Sequence, residues 1–196
     1  MRLCPTLIAT LALAFTAPAL AQETEVPRIV SQDGRHALLV DGEPFLMLGA
    51  QMNNSSAWPA MMPKVWPVME TLNVNTLEVP IAWEQIEPRE GEFDFSYLDL
   101  LLAQARERDI RLVLLWFATW KNTNPQYSPA WVKLDNDRFP RMVKPDGTLH
   151  YALSPHGERT MAADARAFTA LMTHLRAADP QNTVLMVQIQ NEAGSY

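Results

Sequence analysis

The chain has 196 residues, with 16 Lys and Arg against 22 Asp and Glu, a net charge of −6, six tryptophans and one cysteine. Its basic residues never cluster, which argues against a nucleic-acid partner. One cysteine excludes disulfide stapling, and nothing after the N-terminal segment approaches a membrane span.

Met1-Arg2 precedes a stretch from Leu3 to Leu20 that is apolar apart from small hydroxyl residues, and Ala19-Leu20-Ala21 before Gln22 is a small-x-small cleavage pattern. Residues 1–21 therefore read as a signal peptide, giving a secreted or periplasmic protein with no stable membrane insertion after cleavage. Cys4 leaves with the peptide. The remaining chain, about 175 residues, is long enough for one ordinary core.

Arg28-Ile29-Val30 and Ala37 to Val40 are strand-like runs separated by Asp33-Gly34 and closed by Asp41-Gly42. They predict an N-terminal β-hairpin within residues 22–44, leading into a main domain at 45–196. Phe45 to Gly49 predicts a short buried strand. Trp66 to Leu72 predicts a helix after the Pro63 and Pro67 punctuation, and Asn75 to Val79 a second strand. Tyr97 to Arg108 reads as a helix with Leu98, Leu101, Leu102 and Ala105 on one face, followed by a third strand from Arg111 to Phe117. Glu158 to Ala178 is a long helix with Phe168, Leu171, Met172 and Leu175 in register, and Val184 to Ile189 a fourth strand.

Nearly continuous apolar strands between amphipathic helices imply a parallel α/β sheet covered by helices. No Gly-x-Gly-x-x-Gly follows any strand, which removes the usual dinucleotide site. The polar candidates follow the C-terminal ends of strands, as in a TIM (β/α)8 barrel. The expected fold is the N-terminal half of such a barrel, its first four strands, with the polypeptide continuing past Tyr196. Residues 118–157 interrupt the rhythm as a long connection, whose Trp and Tyr content predicts an ordered wall of the site.

The fourth strand closes on Asn191-Glu192 and looks like the fourth strand of a glycosidase barrel delivering its proton donor; glycoside hydrolysis normally needs two carboxylates. Glu192 is the candidate general acid, with partial burial at a strand end keeping it protonated. Asn191 is placed to donate to a sugar hydroxyl. Asn53 and Asn54 follow the first strand, and their amides donate and accept at once. Trp83, Trp120 and Trp131 are candidate sugar platforms, with half of the six tryptophans expected in the core. Glu87, before Pro88 and Gly91, is expected as a structural carboxylate pinning its loop, and Glu78 as a residue reaching a buried partner or the barrel interior. His36, His150, His156 and His174 have no metal-site spacing, and no P-loop, Gly-x-Ser-x-Gly elbow or Cys-His pair occurs. No metal or cofactor is expected.

Taken together, residues 38–196 resemble the family 35 β-galactosidases of glycosidase clan A, and within them the bacterial branch that also looks like family 42. The resemblance rests on Asn75-Thr76, Trp83, Glu87-Pro88 and Gly91-Glu92-Phe93-Asp94-Phe95, on Pro129-Ala130-Trp131, and on Gln188 to Tyr196. It implies that Glu192 is the acid/base and that the nucleophile is a second Glu at the end of a seventh strand beyond Tyr196. The implied reaction is retaining, exo-acting release of β-linked galactose from an oligo- or polysaccharide. Three places depart from the family pattern: Pro80 stands for a sugar-contacting Tyr, Asn53-Asn54 for a His-Tyr pair, and Trp116 to Trp120 for an Arg-Pro-Gly-Pro-Tyr run. The glycone therefore stays open to the alternatives of a β-glucanase, β-mannanase or β-arabinopyranosidase, or of an inactive carbohydrate-binding fragment.

Overall fold

The structure, a computed structural model, describes residues 25–122 and 124–192; the expected signal peptide and the residues after Glu192 lie outside them. Arg28–Gln32 (β1) and Arg35–Val40 (β2) pair antiparallel. Asp33 and Gly34 both take positive φ (50° and 73°), the turn geometry that matches strand twist in a two-residue hairpin. Asp41 and Gly42 repeat it and launch Glu43–Pro44 (β3), so the expected hairpin is a three-stranded sheet.

The strand expected at Phe45 to Gly49 is corrected. Phe45 still donates its N–H to Leu38 O (2.8 Å) beside the small sheet, and Leu46 and Leu48 are exposed. Pairing with the main sheet begins only at Gly49–Gln51 (β4). The chain then runs through α1 (Met62–Thr71), β5 (Thr76–Ala82), the one-turn α2 (Trp83–Ile86), α3 (Ser96–Arg106), β6 (Arg111–Phe117) and α4 (Ala130–Lys133). It continues through β7 (Arg141–Val143), β8 (Leu149–Leu153), α5 (Glu158–Ala178) and β9 (Val184–Gln188). Among the described residues the main sheet is parallel, in the order β4-β5-β6-β9.

Two prolines lie inside elements rather than at their ends. Pro63 occupies the first turn of α1, where an N–H would have no helical partner, but Pro67 lies within the helix and forfeits the bond to the Pro63 carbonyl. Val65, Trp66 and Met69, buried on one face, hold the helix regardless. Pro80 lies inside β5, which therefore runs beyond the expected end at Val79. In a parallel strand the N–H and C=O of one residue point to the same neighbour. Glu78 O accepts Met52 N–H (2.9 Å), so Pro80, two residues on, faces the side where β4 has already ended. No ladder bond is lost.

Leu77, Val79 and Ile81 of β5 and Leu112, Leu114 and Trp116 of β6 pack against Leu98, Leu101 and Ala105 of α3 and Ala163, Ala167 and Leu171 of α5. Each large side chain so buried stabilises the fold by about 1.5–3 kcal/mol. The opposite face carries a smaller cluster, Ala82, Leu115, Phe117 and Tyr127.

The described residues of 118–157 carry regular structure of their own, in α4 and in β7 and β8. The β7–β8 hairpin reverses at Lys144 to Gly147, where Asp146 Oδ1 accepts Thr148 N–H (2.9 Å) and Oγ1–H (2.7 Å). Phe139 is buried against Trp131, and Trp131 in turn packs on Trp83 of α2, which ties the connection to the helical layer.

Candidate active site

Parallel strands put all their C-terminal ends on one rim. That rim collects Asn53-Asn54 after β4, Glu84 in α2, the turn from Ala118 to Asn122 after β6, and Ile189 to Glu192 after β9. Asn191 forms a parallel bridge with Lys121, which continues the β6–β9 pairing past both strands. Its side chain accepts from Gln188 Nε2 (3.3 Å) and donates to Asn122 Oδ1 (3.4 Å). Lys121 bonds Asn122 Oδ1 and lies over the Phe117 ring, 5.1 Å from its centroid.

Glu192 is exposed, so the partial burial expected of it is not provided by this chain. Its φ is +51°, a left-handed conformation that a β-carbon-bearing residue adopts at a cost of about 1–3 kcal/mol. Such outliers cluster at functional sites.

The other candidates divide. Asn53 Oδ1 accepts Ser55 N–H (3.0 Å) and Ser55 Oγ–H (2.8 Å), so its side-chain oxygen caps the 3-10 turn at Asn54–Ser56, while Asn54 is half-buried on the rim. Trp120 is nearly buried and lines a largely apolar cavity of about 350 Å³ beneath the rim, with Trp116, Thr119, Phe168, Ile189 and Gln190.

Trp83 is corrected as a sugar platform. It is fully buried on the helix side, because it continues the alternation of Leu77, Val79 and Ile81. Trp131 is half-buried, packs edge-on to Trp83 (5.7 Å) and Phe139 (5.5 Å) and donates Nε1–H to Glu87 O (3.1 Å).

Glu87 is the loop-pinning carboxylate that its position between α2 and Gly91 implies. It has no exposure; Oε2 accepts Trp83 Nε1–H (2.9 Å), and Oε1 accepts Gly91 N–H (2.8 Å) and Arg166 Nη2–H (2.7 Å). Glu78 shares the face of β5 that carries Pro80 and Ala82, in register with Gln51 and away from the helices.

Of three further groups, Glu84 lies directly after β5, whereas Tyr127 and Asp164 carry no signal from motif or strand-end position. Glu84 Oε2 accepts Lys133 Nζ–H (2.9 Å). Burial, and then the charge of Glu84, push the Tyr127 phenol up. Asp164, in the second turn of α5, is buried, accepts Trp116 Nε1–H (2.8 Å) at Oδ1, and accepts Thr119 N–H (3.2 Å), Thr119 Oγ1–H (2.5 Å) and Gln190 Nε2–H (3.0 Å) at Oδ2. The sequence does carry a trace of it. Thr160 and Asp164, one helical turn apart, fall on the same buried stripe as Ala163, Ala167 and Leu171.

Comparison with known proteins places this rim in context. The glycoside hydrolase family 42 model, described as β-galactosidase, matches residues 53–195. A β-galactosidase of Xanthomonas manihotis is 24% identical over 191 residues, 95% of this chain but 30% of the relative's length. Among solved structures, an exo-β-1,4-mannosidase from Opitutaceae bacterium strain TAV5 superposes with a TM-score of 0.53 at 22% identity, covering 78% of this chain and 26% of that one. The endo-glycoceramidase II of a Rhodococcus species, in complex with ganglioside GM3, gives 0.56 at 17% identity, covering 86% and 43%. A cold-adapted β-galactosidase from Rahnella sp. R3 gives 0.53 at 22%, covering 76% and 22%. These neighbours are TIM-barrel glycosidases, and the parallel sheet with its helices matches part of that fold. The chain belongs to glycoside hydrolase family 42.

Proposed function

We propose that this family 42 chain carries the acid/base half of a retaining, exo-acting β-galactosidase, with Glu192 as the proton donor. The observation that supports the reading is the location of Asn191-Glu192: the end of β9, on the rim where barrel enzymes keep their chemistry, bridged to β6 through Lys121. Glu192 protonates the leaving oxygen as a second carboxylate attacks the anomeric carbon, and then takes a proton from the water that releases the sugar. The chain spans 30% of its β-galactosidase relative, and we assign the nucleophile, a Glu, to the part it does not span. Asn191, Asn53, Asn54 and Trp120 are the proposed sugar contacts, and residues 1–21 a cleaved export signal.

The glycone has a second reading. The exo-β-1,4-mannosidase and endo-glycoceramidase likenesses, with Pro80 and Asn53-Asn54 in place of the usual sugar-contacting residues, keep a β-mannoside or β-glucoside in play. The test is hydrolysis of a panel of nitrophenyl β-glycosides by the whole protein, with the first-formed anomer followed by proton NMR. The expected result is preference for the β-galactoside and β-galactose as first product. Preference for another β-glycoside would move the glycone and keep the mechanism. First release of the α-anomer, or turnover of none of them, would end the proposal.

A further inference from the structure

We infer that Asp164 is a positioning residue for the acid/base, acting through Gln190; the inference rests on Glu192 being that acid/base. The carboxylate is buried and sits on α5, outside the sheet. It holds the two strand ends that build the rim. On the β6 side it accepts from the Trp116 indole and from both the backbone and the hydroxyl of Thr119. On the β9 side it accepts from Gln190 Nε2, two residues before Glu192.

Among the described residues, this is the hydrogen bond that the Gln190 side chain makes. β9 ends at Gln188, so Ile189 and Gln190 have left the ladder, and among the described residues the buried Gln190 Oε1 has no hydrogen-bond partner. Its amide is therefore oriented from the Nε2 end by Asp164. Beyond it, Asn191 regains contact with β6 through Lys121, and Glu192 turns into its left-handed conformation. A backbone held in that conformation needs surrounding structure to fix it. The Asp164–Gln190 bond anchors it on the helix side, and the Lys121–Asn191 bridge anchors it on the sheet side. General-acid catalysis is sensitive to such placement, because the donor must lie within hydrogen-bond reach of the leaving oxygen, and supporting residues set that reach.

A residue that positions the acid/base matters in proportion to how much the leaving group needs a proton. Asp164→Ala removes the acceptor for all four donors. In the whole protein, using whichever β-glycoside the wild type hydrolyses, it should lower kcat about tenfold or more on an alkyl glycoside. On a dinitrophenyl glycoside, whose leaving group needs little protonation, the fall in the glycosylation step should be under about threefold. KM should stay near the wild-type value on both. Glu192→Gln is measured beside it and should show the same pattern more steeply.

If Glu192→Gln is graded by leaving group and Asp164→Ala lowers both substrates equally, or neither, the positioning role is wrong while Glu192 stands. If Glu192→Gln itself shows no gradation, the acid/base assignment falls and the inference falls with it. Should Asp164→Ala not fold, Gln190→Ala decides. That variant leaves Asp164 with its Trp116 and Thr119 donors and cuts only the link to β9. A leaving-group gradation there supports the inference, and a flat response overturns it.

Discussion

Glu87 has no contact with solvent, and its two oxygens accept from an indole, a backbone amide and a guanidinium drawn from three separate segments. Replacing it with Ala strands the Trp83 indole N–H in the interior and frees the Gly91 N–H and the Arg166 guanidinium. The expected loss of stability is about 3 kcal/mol, read from the denaturant midpoint of the whole protein by tryptophan fluorescence. Trp83 separates two readings at the same scale. As a core residue that donates to Glu87, its replacement by Phe should cost about 1.5–3 kcal/mol in the same assay and leave KM unchanged. A sugar platform would behave in the opposite way, with KM raised and the midpoint unmoved. From sequence alone Trp83 looked equally suited to either role, because an indole after a strand end is the same residue whichever face it takes. The alternation of β5 decides the face, and β5 had to be followed past Pro80 to see it. Asp164 was harder to find, since its importance lies in where its four donors come from, and they come from residues 116, 119 and 190.

At the scale of elements, the long helix and the third and fourth strands were legible because their patterns are long: α5 runs from Glu158 to Ala178 as its apolar register requires. Short elements next to prolines were not. α1 begins earlier than its punctuation implies, and β5 passes through Pro80, because packing and the early end of β4 override the local signal. The junction that launches β9 gives a pH prediction. Burial alone would push the Asp179 carboxyl up, but the Val184 N–H (2.8 Å), the Arg106 guanidinium (2.7 Å) and the Thr183 donors outweigh it and hold the carboxyl below its ordinary value. A carboxylate depressed in the folded state contributes stability that is fully present above the unfolded value, about 3.9, and is lost as pH falls through the lower folded one. Asp179→Asn should therefore be less stable than wild type at pH 7, with the gap closing as the pH falls below about 4. A gap of constant size across that range would show that the charge contributes nothing.

Taken whole, the described sheet has β4 and β9 as its outer strands, and Met186 of β9 and Ile189 just beyond it are exposed. An edge of that kind is a site for pairing and aggregation when nothing covers it. Residues 22–196 produced alone are therefore expected to be poorly soluble and to hydrolyse no β-galactoside, since the proposed nucleophile is not among them. Turnover by that piece, with host enzymes excluded, would contradict the assignment of the two carboxylates to separate parts of the protein. The most direct measurement concerns Glu192. In the whole protein, Glu192→Gln should still be glycosylated by an activated aryl β-galactoside, because that leaving group departs without a proton. Deglycosylation should then stall for want of a base. Added azide, a nucleophile that needs no base, should restore turnover and yield β-galactosyl azide. If azide restores nothing and the variant loses activated and unactivated substrates equally, the proton donor is a residue other than Glu192.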